Sequence, residues 1–167
     1  MSAVPTESGV LTEQFRDAMA HLCAPVTVVT ACEQGRAHGT TVSAFASLSL
    51  HPQLVTVALD RSSRLLEVVE RTGRFGVNVL STDQASLAMR FAGKGDDKFD
   101  EVTWLPEGQL PRLPRSVAWL RCSTEEILGG GDHLILVGRV EHCEVDVEQP
   151  PLSYFGRRFG THAPLAP

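Results

Sequence analysis

Two stretches concentrate side chains able to bind and orient a small molecule. The segment GTTVSAFASLSLHPQLV at 39–55 sets Thr40, Thr41, Ser43, Ser47 and Ser49 among small apolar residues. Hydroxyl and amide donors beside a dry groove suit a flat heteroaromatic ring, which has apolar faces and a polar edge. An ordinary half-buried strand with its Thr and Ser facing water has the same composition, since β-propensity alone explains Thr and Val there. The second stretch is GGGDHLILVGRV at 129–140, where a glycine-rich turn delivers Asp132 and His133 to the mouth of a strand. A single imidazole so placed serves either as a ligand contact or as a structural group satisfied by a backbone partner.

The spacings that mark self-sufficient catalysis are missing. There is no G-x-G-x-x-G after a strand, no G-x-x-x-x-G-K-[ST], no H-E-x-x-H and no G-x-S-x-G. A bound nucleotide would therefore lie outside the Rossmann and P-loop architectures. Adjacent carboxylates occur at Asp96-Asp97 and Glu125-Glu126, and neighbours on a strand or loop point apart and stay solvated. The histidines at 21, 38, 51, 133, 142 and 162 include no pair at helical ligand spacing, so no metal centre is expected. Cys23, Cys32, Cys122 and Cys143 form no C-x-x-C pair and read as small core residues in a reducing compartment.

The elements that must carry these residues follow from periodicity. With 167 residues, 43% of them apolar and 21% charged, the chain is expected to fold as one domain, its core over about 12–160. The net charge of −5, with no basic stripe, argues against a nucleic-acid partner. No apolar run reaches the roughly 20 residues of a membrane helix, and Met1 to Gly9 lacks the features of a signal peptide, so a cytoplasmic chain is expected. Of the fifteen basic residues only Lys94 and Lys98 are lysines, a skew that carries no functional weight by itself.

Thr12 as a cap, with Phe15, Met19 and Leu22 on one stripe, predicts an amphipathic helix over 12–23 that buries that stripe and stops at Pro25. VTVVTA at 26–31, the polar turn at 33–36 and AHGTTVSAF predict a hairpin. LVTVAL at 54–59 and RFGVNVL at 74–80 have strand composition, and between them lies a helix opened by Ser62 or Ser63 and stopped at Gly73. A further helix spans 82–92, followed by a surface loop at 93–101 and an extended proline-rich connector at 105–114. Runs at 116–128 and 133–145 form the longest hairpin around Gly129 to Asp132, while the Pro- and Gly-rich C-terminal piece should lack regular structure. About six strands in sequential hairpins with flanking helices predict a closed or nearly closed antiparallel barrel.

Taken in order, FRDAMAHLCAPVTVVTA, GTTVSAFASLSLHPQLVTVAL, Ser62-Ser63-Arg64, FGVNVL, FA with the later KF, GGGDHLILVGRV and PLSYFGRRFG resemble the short-chain flavin reductases. These are the reductase components of two-component flavin-dependent monooxygenases. The resemblance covers roughly residues 12–160 and implies a mainly β chain with flanking helices, a split antiparallel β-barrel.

It further implies an NAD(P)H:flavin oxidoreductase that passes hydride from NADH to FAD or FMN and supplies diffusible reduced flavin to a partner monooxygenase. Both FAD and FMN remain open. NADH is favoured over NADPH because no basic cluster near the tail awaits a 2′-phosphate. The resemblance places Thr41, Val42, Ser43, Ala44, Ser47 and Ser49 along the isoalloxazine and ribityl chain, with Pro25, Val26 and Thr27 completing the wall. Ser63 and Arg64, at a helix start, are the expected phosphate donors, with Lys98 as a second contact. Asn78 and Val79 match the strand near the ring, although Asn78 fits equally as a buried amide satisfied by backbone. His133 is implied at the nicotinamide, and Tyr154, Phe155, Gly156 and Arg158 along the dinucleotide, with the choice between Arg157 and Arg158 open. A homodimer is implied as well. The rival readings are a pyridoxamine-phosphate-oxidase-like FMN enzyme and a non-enzymatic flavin- or haem-binding module.

Overall fold

The computed structural model describes residues 7–95 and 97–165. In chain order these form α1 (Glu7–Ala20), β1 (Ala24–Pro25), β2 (Thr27–Glu33), β3 (Arg36–Val42), β4 (Phe45–Leu50) and β5 (Gln53–Asp60). Then come α2 (Arg64–Thr72), β6 (Arg74–Val79), a 3-10 turn at Thr82–Gln84, α3 (Ala85–Ala92), β7 (Leu105–Glu107) and β8 (Leu110–Arg112). The chain continues through β9 (Ala118–Gly130), β10 (His133–Val145), β11 (Ser153–Phe155) and β12 (Arg158–Gly160).

Seven of these strands make one sheet in the order β3–β2–β6–β9–β10–β5–β4, with every neighbour antiparallel. β3 and β4 stand at opposite edges, yet only Ser43 and Ala44 separate them in sequence. So short a link cannot cross a flat seven-stranded sheet at 4.7–4.9 Å per strand, so the sheet is rolled until its edges approach. The Ala58 N–H donates to the Ala44 carbonyl at 3.0 Å, extending the β4–β5 ladder into the bend itself.

The roll creates two apolar layers that share β2. Inside, Val29, Ala31, Val57, Phe75, Val77, Cys122 and Leu136 meet Leu65, Leu66, Val68 and Val69 of α2. Outside, Val26 and Val28 meet Leu80, Ala88, Phe91, Leu113 and Leu152. β2 is thus buried on both faces, which explains why VTVVTA reads as a continuous run rather than an alternation. Its two hydroxyls are satisfied within the chain, Thr27 donating to the Val42 carbonyl at 2.7 Å and Thr30 to the Pro111 carbonyl at 2.8 Å.

Several expectations need correction. The first helix starts at Glu7, with Thr12 inside it, and ends at Ala20, after which the main-chain N–H groups of His21 and Leu22 make tight i→i−3 bonds. Its apolar stripe is not buried: Phe15 is 60% exposed and Leu22 58%, because among the described residues no element covers that face. The extended run expected through Phe45 breaks at Ser43-Ala44 and resumes as a separate strand, β4, which forms a second hairpin with β5. The proline-rich connector pairs with itself as the β7–β8 hairpin, and the C-terminal piece holds the β11–β12 hairpin, whose first strand pairs with β1. Gly129 and Gly130 belong to β9, leaving only Gly131 and Asp132 in the turn. Cys122 is buried, and burial pushes its thiol pKa up to about 12. Cys32 is half-buried, whereas Cys23 follows α1 and Cys143 lies near the end of β10, and both are exposed. Asp96 and Met1 to Thr6 lie outside the described residues.

Close approach at Gly138 is the tightest constraint on the inner layer. A Cβ there would fall 2.3 Å from Cζ of Phe75, whose ring is fully buried. Gly138→Ala is expected to lower stability by ~2 kcal/mol, a fall in Tm of ~4–8 °C, by overpacking. Thermal unfolding checks this, and Phe75→Leu in the Gly138→Ala background should recover part of the loss.

Candidate functional site

A cavity of about 650 Å³ opens where the free edge of β3 faces the start of α2. Its walls are 37–44 from β3 and the following bend, Ala58, Leu59 and Asp60 from β5, Ser62 to Leu65 at the head of α2, residues of the 92–99 loop, and His133. This volume lies within the ~300–1,000 Å³ range of small-molecule and cofactor sites.

The β3 wall offers main-chain rather than hydroxyl donors. The two-residue Gln34-Gly35 turn makes Glu33 and Arg36 the first bonded pair, so pairing recurs at His38, Thr40 and Val42. The main-chain groups of Ala37, Gly39 and Thr41 therefore point outward from the edge. Thr41 donates its hydroxyl to the Ala88 carbonyl at 2.6 Å, and Thr40 donates to the Phe91 carbonyl at 3.4 Å. These bonds dock α3 on β3. Gly39 has no room for a side chain, since a Cβ would stand 3.0 Å from Phe91 and 3.2 Å from Phe99, whose rings meet edge-on below it.

At the head of α2, Ser63 is the N-cap by backbone geometry, yet its hydroxyl makes no capping bond. Ser63 and Arg64 both line the cavity at the start of the helix, where the first N–H groups and the helix dipole favour an anion. The approach to the helix is held by Asp60, whose Oδ1 accepts from the Ser62 hydroxyl at 2.6 Å and the Ser62 N–H at 2.7 Å. Those two bonds, the hydroxyl first, hold the Asp60 carboxyl below its usual pKa. Lys98 lines the cavity too, but its ammonium donates to the Phe91 carbonyl at 2.9 Å and the Gly39 carbonyl at 3.4 Å. It thereby covers the C-terminal end of α3.

His133 opens β10, paired in register with Asp60 across the β5 ladder. Its Nδ1 lies 2.8 Å from the Asp132 carboxylate, which turns Nε2 into the atom available to a ligand. The Asp132 carboxyl is held below its ordinary range, first by this hydrogen bond and then by the imidazole's charge.

The cavity thus brings together Thr41, Val42, Ser43, Ala44, Ser63, Arg64, Lys98 and His133. It does not include Pro25, Val26 and Thr27, which lie in or beside β2, with Val26 and Thr27 buried. Ser47 and Ser49 lie on β4, away from the cavity lining. Asn78 is fully buried and engaged with backbone, donating to the Val28 carbonyl at 3.1 Å and accepting from the Leu113 N–H at 2.7 Å. Val79, next to it, packs against the inner layer. Tyr154, Phe155, Gly156 and Arg158 sit on the C-terminal hairpin, outside the cavity. Of the two arginines there, Arg157 is tied to Asp17 of α1 at 2.6 Å.

Sequence reasoning did not single out Ala37, His38, Gly39, Asp60, Lys94 or Phe99, all of which line the cavity. One signal was present: the chain's two lysines both fall on this wall. Among the described residues, Glu107, His142 and Glu144 bring three ligand atoms within 4.8 Å of one another. The Arg112 guanidinium bridges both carboxylates, at 2.6 Å and 2.7 Å, and offsets one of their two negative charges.

Comparison with known proteins agrees with this geometry. Residues 19–163 match the family model described as the flavin reductase like domain. The chain is 38% identical over 168 residues to an NADH:riboflavin 5'-phosphate oxidoreductase of Streptomyces pristinaespiralis, covering 98% of this chain and 95% of that one. It is 40% identical over 147 residues to the reductase component of a 4-hydroxyphenylacetate 3-monooxygenase of Thermus thermophilus, covering 88% and 94% respectively. The fold is similar to that of a Streptomyces globisporus NADH:FAD oxidoreductase solved with NAD and FAD fragments, with TM-score 0.89, 28% identity and coverage of 99% and 100%. The rolled, incompletely closed sheet is the split barrel of those reductases, and the chain belongs to the flavin reductase like family.

Proposed function

We propose that this chain is an NADH-dependent flavin reductase that supplies reduced flavin to a separate monooxygenase. The observation that carries the reading is the cavity itself, with an open strand edge, an anion-favouring helix start at one end and an oriented imidazole bordering it. When bound, flavin supplies the hydride-accepting ring and reduced nicotinamide the hydride, so the protein needs neither a nucleophile nor an acid–base pair.

The chain's own residues bind and orient. Outward main-chain groups of β3 and the Ser43-Ala44 bend meet the polar rim of the ring, while Gly39, Val42 and Ala44 give it a low, apolar wall. Ser63, Arg64 and the head of α2 hold the flavin phosphate. His133, fixed by Asp132, shapes the nicotinamide side. Tyr154, Phe155, Gly156 and Arg158 are proposed to follow the dinucleotide from the C-terminal hairpin, with Arg158 rather than the Asp17-tied Arg157 as the available cation. Ser47, Ser49, Pro25, Val26, Thr27, Asn78 and Val79 lie off the cavity lining and are not among the proposed contacts.

A homodimer is part of the proposal. Leu11 is 66% exposed and Phe15 60% on one face of α1, and Leu50 is 75% exposed on β4, surfaces that a second copy would take out of water. The exposed free thiols of Cys23 and Cys143 fit a reducing cytoplasm, and no helix of the described residues is long and apolar enough to cross a membrane.

Loss of reduced-nicotinamide absorbance, followed with NADH or NADPH against FMN or FAD, tests the activity. NADH oxidation should depend on added flavin, whereas tight FMN retention without NADH oxidation would overturn the reading. His133→Ala should raise the KM for NADH about tenfold, near 1.4 kcal/mol, with a smaller change in kcat. Steady-state kinetics reads that split. Phe15→Asp should convert a dimer to a monomer in sedimentation velocity, and a wild-type monomer that still reduces flavin would remove the dimer from the proposal. Rapid mixing with a monooxygenase should show its flavin reduced without contact between the two proteins.

A further inference from the structure

Arg61 lies between the two loops that end on the cavity without itself lining it. Its main-chain N–H donates to the Asp132 carbonyl at 3.1 Å, and its Nε–H donates to the Gly131 carbonyl at 2.8 Å. One residue of the β5–α2 loop thus grips the β9–β10 turn at two consecutive carbonyls. The turn is closed at its base by the Gly130–His133 pair, while Gly131, with positive φ, and Asp132 at its tip are exposed, so the Arg61 bonds tie that tip to the β5–α2 loop. On the other side of Arg61, the Asp60 carboxylate holds Ser62 and the Asp60 carbonyl accepts from the Ser63 N–H at 2.9 Å. The residues proposed for the flavin phosphate and the imidazole proposed for the nicotinamide are therefore joined by the Arg61 side chain as well as through the β5–β10 ladder, where His133 pairs with Asp60.

We propose that Arg61 is a positioning residue for hydride transfer, setting the His133 ring against the Ser63–Arg64 end of the cavity so that the nicotinamide is presented to the flavin. This rests on the flavin reductase reading. The guanidinium acts by its hydrogen bond to the turn and not by its charge on a ligand, a distinction chemistry can test. Glutamine carries Nε2 at the same number of bonds from Cα as arginine carries Nε, so Arg61→Gln keeps the donor and removes the charge.

The experiment measures, for wild type, Arg61→Ala and Arg61→Gln, the KM for NADH at saturating flavin, kcat, the Kd for flavin by fluorescence quenching, and Tm. Arg61→Ala should raise the KM for NADH about five- to tenfold, the range that loss of a hydrogen bond to an ordered turn gives. Flavin Kd and Tm should stay at wild-type values, and Arg61→Gln should return the KM to within about twofold of wild type. An Arg61→Gln variant as impaired as Arg61→Ala would overturn the proposal in favour of direct attraction between the cation and the ligand. Equal losses in flavin Kd, NADH KM and Tm would reduce Arg61 to a general structural contact, and an unchanged Arg61→Ala variant would remove its role. A wild-type chain without NADH-dependent flavin reduction would instead defeat the functional reading, and this inference with it.

Discussion

The two-residue bend at Ser43-Ala44 governs this molecule. It takes the chain from one edge of a seven-stranded sheet to the other, and the sheet must roll to allow it. The hydrogen bond from the Ala58 N–H to the Ala44 carbonyl carries the β4–β5 ladder one rung into the bend, whereas the outer edge of β3 pairs with no strand. An open edge is ordinarily a liability, a row of unmet main-chain groups that invites another strand. Here it is covered by the docking of α3 and by the 92–99 loop, which turn it into the wall of a cavity. The same roll brings the head of α2 and the start of β10 to that wall, since both adjoin the end of β5.

The polar groups of the site divide by what they are already bound to. The threonine hydroxyls of β3 and the ammonium of Lys98 are engaged with carbonyls of α3 and β3, so they build the wall. Ser63, left out of its own helix cap, is different. A residue type suited to capping that makes no cap bond retains its donor for a partner outside the helix. Thr, Ser and Lys serve both purposes within a few residues of one another, so the bond each side chain already makes, and not its type, decides between architecture and recognition.

Much of the fold was legible in the sequence. The β2–β3 hairpin, α2 with its Ser63 start and Gly73 stop, β6, α3 and the long β9–β10 pair all follow from periodicity and turn residues acting locally. What escaped depends on contacts far apart in the chain. The stripe Phe15, Met19 and Leu22 has the spacing of a buried face, but periodicity says only that one face is apolar and not which surface meets it. The β11–β12 hairpin is held by pairing with β1, more than a hundred residues earlier, so its Pro- and Gly-rich sequence gave no local sign of order. At the site, the motif order led to the residues on β3, α2 and β10. Asn78 and Ser47 were drawn in because a motif marks a neighbourhood, whereas the direction of a side chain is set by the pleat and by which backbone groups lie opposite.

The unequal setting of the four thiols has a practical use. Cys122 is sealed in the inner layer and its thiolate is suppressed, while Cys23 and Cys143 are exposed and neither borders the cavity. A maleimide dye or a surface tether directed at sulfur would therefore attach first at those two points, ahead of the half-buried Cys32, and leave the sealed Cys122 untouched. The chain could be immobilised or made fluorescent by alkylation alone, with no residue of the ligand-facing wall altered.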